Sequence, residues 1–169
     1  MIAPDKDAYT TLAEVRSAVQ NGLVADAARI LASARLPGGE ALVGDPDDPQ
    51  RFCSVPTAVE DLVRHSPALR QAMVAAVSGP ERLRLRQVLA EADVAEAKNM
   101  AVRYFGTPAA AEAHVWLGDR YLASGQFQRA IHHYHRAQIL PSPSGRGAGG
   151  EGLSLPSPSG RGAVGEGLS

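Results

Sequence analysis

The chain has one cysteine, Cys53, in 169 residues. No bond between two of its own thiols can staple the fold, and a reducing compartment is the simpler setting. An apolar run long enough to span a bilayer is also missing. The first residues, Met1-Ile-Ala-Pro-Asp-Lys-Asp, hold no apolar leader, so the expectation is a cytoplasmic protein with no membrane span. Charge of one sign is absent too. Seventeen Lys and Arg stand against eighteen Asp and Glu, giving a formal charge of −1. The signs are interspersed, and without a basic stripe nucleic acid is excluded as the expected partner. The one local basic run, Arg82, Arg84 and Arg86, is followed by Glu91, Asp93 and Glu96 and reads as a solvated helix face.

Catalytic patterns are lacking in the same way. There is no nucleophile elbow, no P-loop and no paired acid and base. Glu60-Asp61 and Glu91-x-Asp93 are neighbouring carboxylates on expected helix surfaces, where water satisfies them. Gly145-x-Gly147-x-x-Gly150 matches a dinucleotide fingerprint by letter. That motif works only between a strand and a helix N-terminus, and low-complexity sequence flanks it here. Arg146 and Arg161 are balanced by Glu151 and Glu166, which leaves little pull on RNA. The acids of Gly44-Asp45-Pro46-Asp47-Asp48-Pro49 are interrupted by two prolines and read as a turn, not a calcium loop. Cys53, beside Phe52 and Val55, reads as a small buried side chain. The expectation is a protein that is not an enzyme and has no cofactor.

Helix signals dominate what is present. Leu12, Val15 and Val19 space a helix over 7–21, ended by Gly22. A second, over 24–35, places Ala27, Ile30, Leu31 and Ala34 on one face. Residues 36–50 hold Pro37-Gly38-Gly39 and the acidic turn, so 37–55 is expected to be loop, with extended pattern only at Arg51–Val55. Pro56 opens a helix to about Arg64. Ser66-Pro67 and Ser78-Gly79-Pro80 each supply an N-cap with proline early in the helix. Asp93 caps another helix ending near Phe105-Gly106, and Thr107-Pro108 launches the next. The fold class expected is all-α, with an N-terminal hairpin at 1–36 and a helical region at 56–140. From Leu140 a fifteen-residue unit rich in Pro, Ser and Gly repeats from Leu155 with one change, Gly149 to Val164. Such a tail, over 141–169, cannot bury apolar surface and is expected to be disordered, the residue of a recent DNA duplication.

Six of the eight aromatic residues fall between Tyr104 and Tyr134, and there the spacing is most specific. Ala111 to Leu140 reads His114-x-x-Leu117-Gly118-x-x-Tyr121, then Gly125 and Phe127, then Ala130-x-x-x-Tyr134-x-x-Ala137. Small Gly118 and Ala130 suit a close approach of two antiparallel helices. Leu117, Tyr121, Phe127 and Tyr134 are expected to fill the seam, and Gly125 to make the turn. Gly22 and Ala27 stand in the same relation as Gly125 and Ala130, which outlines a second hairpin. The 111–140 unit resembles a tetratricopeptide repeat. It departs from that pattern at His114, where a large apolar residue is usual, and at Pro141, which arrives early. The resemblance implies an array of helical hairpins whose first helices hold an extended peptide, which here places Val115, Asp119 and Leu122 against a protein or peptide partner; Trp116, the only tryptophan, lies beside these positions and is a further candidate contact.

A wider resemblance runs from Phe52 to Gln138. It takes in Phe52-x-x-Val55, Val59, Leu62, Ser66-Pro67-Ala68-Leu69, Val88-Leu89, Tyr104-Phe105-x-Thr107-Pro108 and Leu117-Gly118-Asp119. It is similar to the helical N-terminal region of planctomycete-type proteins with a pyrroloquinoline-quinone-like β-propeller, related to the outer-membrane assembly lipoprotein class. This implies a truncated relative, without the propeller and without independent activity. Two further readings concern α-helical faces. His132 and His135, at i and i+3, with His114 across the hairpin, form a candidate metal trio. An uncovered face at Ile131, Tyr134 and Ile139 favours self-association into a homo-oligomer.

Overall fold

The computed structural model describes residues 5–37, 41–45, 48 and 51–141. The tail beyond Pro141, with the fingerprint-like glycines and the repeated unit, lies outside the described residues. The described chain is mostly helical with one small two-stranded sheet.

Local chemistry starts most of the helices. Asp5 accepts from the Ala8 amide at 2.9 Å and opens α1 (Lys6–Gln20). Gly22, in the left-handed region at φ +75°, turns the chain into α2 (Val24–Ser33). Ser54 caps α3 (Val55–His65), which carries Pro56 in its first turn. Ser66 caps α4 (Pro67–Ala76) by accepting from Leu69. Helix α5 (Gly79–Ala90) begins where expected, but the Ser78 hydroxyl makes no capping bond. Asp93 caps α6 (Val94–Arg103), and Thr107 caps α7 (Pro108–Ala123). Each cap satisfies an amide that the first helical turn leaves without a partner. Helix α8 (Phe127–Gln138) follows a short turn through Gly125 at φ +73°.

The segment expected to be loop contains structure. Strand β1 (Leu42–Gly44) pairs antiparallel with β2 (Phe52–Ser54), in the register Leu42↔Ser54, Val43↔Cys53 and Gly44↔Phe52. Three-residue strands are too short to show alternation in sequence. They persist because tertiary contacts hold them. Val43 is buried, the Asp5 amide donates to the Leu42 carbonyl, and the Val55 amide donates to that of Ala41.

The N-terminal helices α1 and α2 do not stand apart from the later ones. Helix α2 packs on α1 and equally on α4. One apolar core therefore runs through the chain, from Leu12 and Val15 through Leu31, Val63, Met73 and Met100 to Leu117. Helices α6 and α7 pack through an alanine-rich surface, Ala109, Ala110, Ala111 and Ala113, all buried. A buried arginine adds a polar tie. Arg103 of α6 donates to Glu96 at 2.9 Å and reaches the Ala34 carbonyl at the end of α2. Among the described residues no helix is long and apolar enough to cross a membrane.

Candidate functional site

Among the described residues, helices α7 and α8 share the most extensive helix–helix contact. A Cβ built on Gly118 would stand 2.6 Å from the Tyr134 ring, so only glycine admits that ring against the α7 backbone. Ala130, Leu117 and Tyr121 are buried as expected. Gly118→Ala should cost about 1–2 kcal/mol, the ordinary range for an overpacked contact. The half-buried Tyr134 can swing outward at the expense of its 2.7 Å hydrogen bond to Asp119. In urea titrations the cost should shrink when Tyr134→Ala is also present; equal costs in both backgrounds would show that close approach is not the cause.

Phe127 corrects the seam as read from sequence. It is 61% exposed at the first residue of α8, so it does not fill the seam. Ile131, one turn later, is 50% exposed on the same side. On α7, Val115 and Leu122 are 44% and 49% exposed, and with Asp119 they form a row at i, i+4 and i+7. The Tyr134–Asp119 hydrogen bond joins this row to Ile131 and Phe127 on α8. Trp116 sits one position round the helix, partly buried against the core, with the Arg120 guanidinium 5.6 Å from its ring. Three of the four residues expected at a partner surface, Val115, Asp119 and Leu122, thus share one row, and Trp116 lies beside it.

The other flank of the same seam is polar. His114 is only 8% exposed, and its Nδ1 lies 2.9 Å from Nδ1 of His133. One ring must donate and the other accept, so when both are neutral they take complementary tautomers. Tyr121 stacks on His133 at 5.3 Å with nearly parallel rings. Burial pulls both histidines well below the usual imidazole value, to about 3 for His114 and about 4 for His133. The nearby cations Lys98 and Arg136 push in the same direction. The expected trio of His114, His132 and His135 is not assembled. His133 is the residue that meets His114, while His132 stands edge-on to His133 at 5.6 Å and His135 stays exposed. Among the described residues no three His, Cys, Asp or Glu side chains converge on a metal position. The signal for His133 was in the sequence. It follows Ala130 by three positions and precedes Ala137 by four, which puts it on the face of α8 that carries the buried Ala130.

A cavity of about 70 Å³ opens over this pair, lined by Pro56 of α3, Lys98 and Phe105 from the α6 side, and His132 and Arg136 of α8. Glu60 of α3 is buried and accepts from both Arg64 and Arg136, tying α3 to α8. A larger groove of about 600 Å³ runs between α1, β1 and α3, past Arg16, Cys53, Asp61 and His65. Its thiol is a poor nucleophile, because burial and the carboxylates of Asp45 and Asp61 push the Cys53 pKa up. His65 turns its Nδ1 to the Asp61 carbonyl at 2.8 Å. Comparison with protein-family models, with curated proteins and with solved structures finds no match for this chain.

Proposed function

We propose that this chain is a non-enzymatic helical interaction module of tetratricopeptide type, in which α7 and α8 form an antiparallel hairpin that takes up a segment of a protein partner. The supporting observation is the apolar row Val115, Leu122, Phe127 and Ile131, exposed on two helices that Gly118, Tyr134 and Asp119 lock together. A surface held on two locked helices has less backbone freedom to lose on binding, which leaves more of its burial to appear as affinity. Asp119 supplies a fixed charge beside the row and sets the register of a basic group on the partner.

The test is a photo-crosslinking residue placed at Leu122 in the full chain. It should capture one partner species from a native extract. Val115→Glu combined with Ile131→Glu should abolish capture, while melting stays close to that of the parent, since surface substitutions change stability by about 0.5 kcal/mol or less. Capture that survives both substitutions would remove this row from the interface. Capture of the chain by itself, with a dimer in sedimentation, would reassign the row to self-association.

A further inference from the structure

We infer that the cleft between α3, α6, α7 and α8 is a binding site for a phosphate-class oxyanion, held by Lys98 and Arg136 over the His114–His133 pair. The inference is independent of the interaction reading, because the cleft lies on the opposite flank of the α7–α8 seam from Val115 and Leu122.

Four elements converge here, and the charges they bring do not balance. Lys98 comes from α6, and Arg136 and His132 come from α8. Among the described residues, none of the charged groups acting on His114 or His133 is negative. The nearest acid, Glu60 of α3, bears on His132 and is already shared by Arg64 and Arg136. Lys98 has no carboxylate at the i±3 or i±4 positions of its own helix; its ammonium lies instead over the Tyr121 ring, 5.6 Å from the centroid. Tyr121 is in turn stacked on His133, so the cation and the ring pair belong to one column. With Glu60 shared between two guanidiniums and Lys98 half-buried, the cleft keeps a net positive charge around two neutral rings, which favours an anion there. A phosphoryl group reverses the balance, since it carries about −1.5 to −2 charges near neutral pH and accepts several charge-assisted hydrogen bonds.

Size selects the ligand class. At about 70 Å³ the cavity is far below the roughly 300 Å³ at which drug-sized pockets begin, so it encloses a tetrahedral head group, and the rest of any larger molecule would lie outside it. Pro56, Ala101, Val102 and Phe105 form an apolar wall that limits competition from water. The anion is also linked to protons. An oxyanion facing His133 favours the imidazolium, so binding takes up protons and strengthens as pH falls.

The experiment is calorimetric titration of the full chain at constant ionic strength with inorganic phosphate, O-phosphoserine and sulfate, against a chloride control. Saturable binding of phosphate should appear, and Lys98→Met should weaken it ten-fold or more. Lys98→Arg should recover most of the loss, and the circular dichroism of both variants should match that of the parent chain. Sulfate keeps its charge across this range, so its affinity should rise about ten-fold between about pH 7.5 and about pH 5.5 through the histidines alone. The ring-proton signals of His133 should titrate at higher pH when the anion is bound. Binding of phosphoserine alongside phosphate would identify the ligand as a phosphoryl group on a larger molecule, and phosphate alone as the free ion. Heats no larger than those of chloride, or equal binding by Lys98→Met, would overturn the proposal.

Discussion

Acidification from pH 6.5 to 4 should remove about 3–5 kcal/mol from the stability of this protein, and most of that loss should trace to two residues. Both His114 and His133 have folded-state values far below the ordinary 6.5, at about 3 and about 4. In that window the unfolded chain binds protons that the folded chain refuses. Stability is therefore complete above 6.5 and falls as the pH drops toward the folded values. Two protons at about 1.36 kcal/mol per unit each set an upper slope of about 2.7 kcal/mol per pH unit. The pair titrates as a unit. A first proton keeps the N–H···N contact, as imidazolium to imidazole, but must enter a buried site facing Lys98 and Arg136. A second places two N–H groups face to face and breaks the contact. His132, whose value burial and Arg136 also lower, adds a smaller part in the same direction. Urea unfolding followed from pH 7.5 to 4 gives the slope. The double variant His114→Leu, His133→Leu should flatten it by half or more, leaving the carboxylate contribution. An unchanged slope would mean that these rings are not the acid-sensitive element.

The second large effect is expected at Gly106, in the turn that aims α7. Its φ of +86° lies in the left-handed region, and a Cβ there would come within 2.8 Å of a Val63 methyl on α3. Gly106→Ala carries about 1–2 kcal/mol of backbone strain. Crowding of a buried neighbour adds about 1–2 more, for a total of about 2–4 kcal/mol. Gly22 and Gly125 provide the control. They have similar φ, +75° and +73°, but open space where a Cβ would go. Alanine at either should therefore cost only the backbone part. If all three variants lose the same stability, the Val63 contact contributes nothing. If Val63→Ala placed with Gly106→Ala restores part of the loss, the contact is located.

The two experiments divide along the line that separates what the chain announces from what it conceals. Ser66, Asp93 and Thr107 were legible as helix starts because a cap is a bond from residue i to the amide of i+3, complete within four residues. The helical class follows from the sum of such local bonds. Ser78 shows the limit, since the helix begins there without its hydroxyl contributing.

Gly118 was legible as a close approach because its spacing to Ala130 implied two facing helices, yet Phe127, read by the same spacing, faces solvent. A helix period gives the angle of a side chain about its own axis but not which neighbour, if any, occupies that direction. The β1–β2 ladder, the seat of α2 on α4, the meeting of His114 with His133 and the pressure of Val63 on Gly106 all join residues distant in sequence. Each exists because another element happens to arrive there, and no window of a few residues contains that information. Sequence alone determined where the helices begin and that they would be helices. Tertiary packing decided which histidine is buried, which apolar row is left bare, and where positive charge outnumbers negative, because burial and field are properties of neighbours in space.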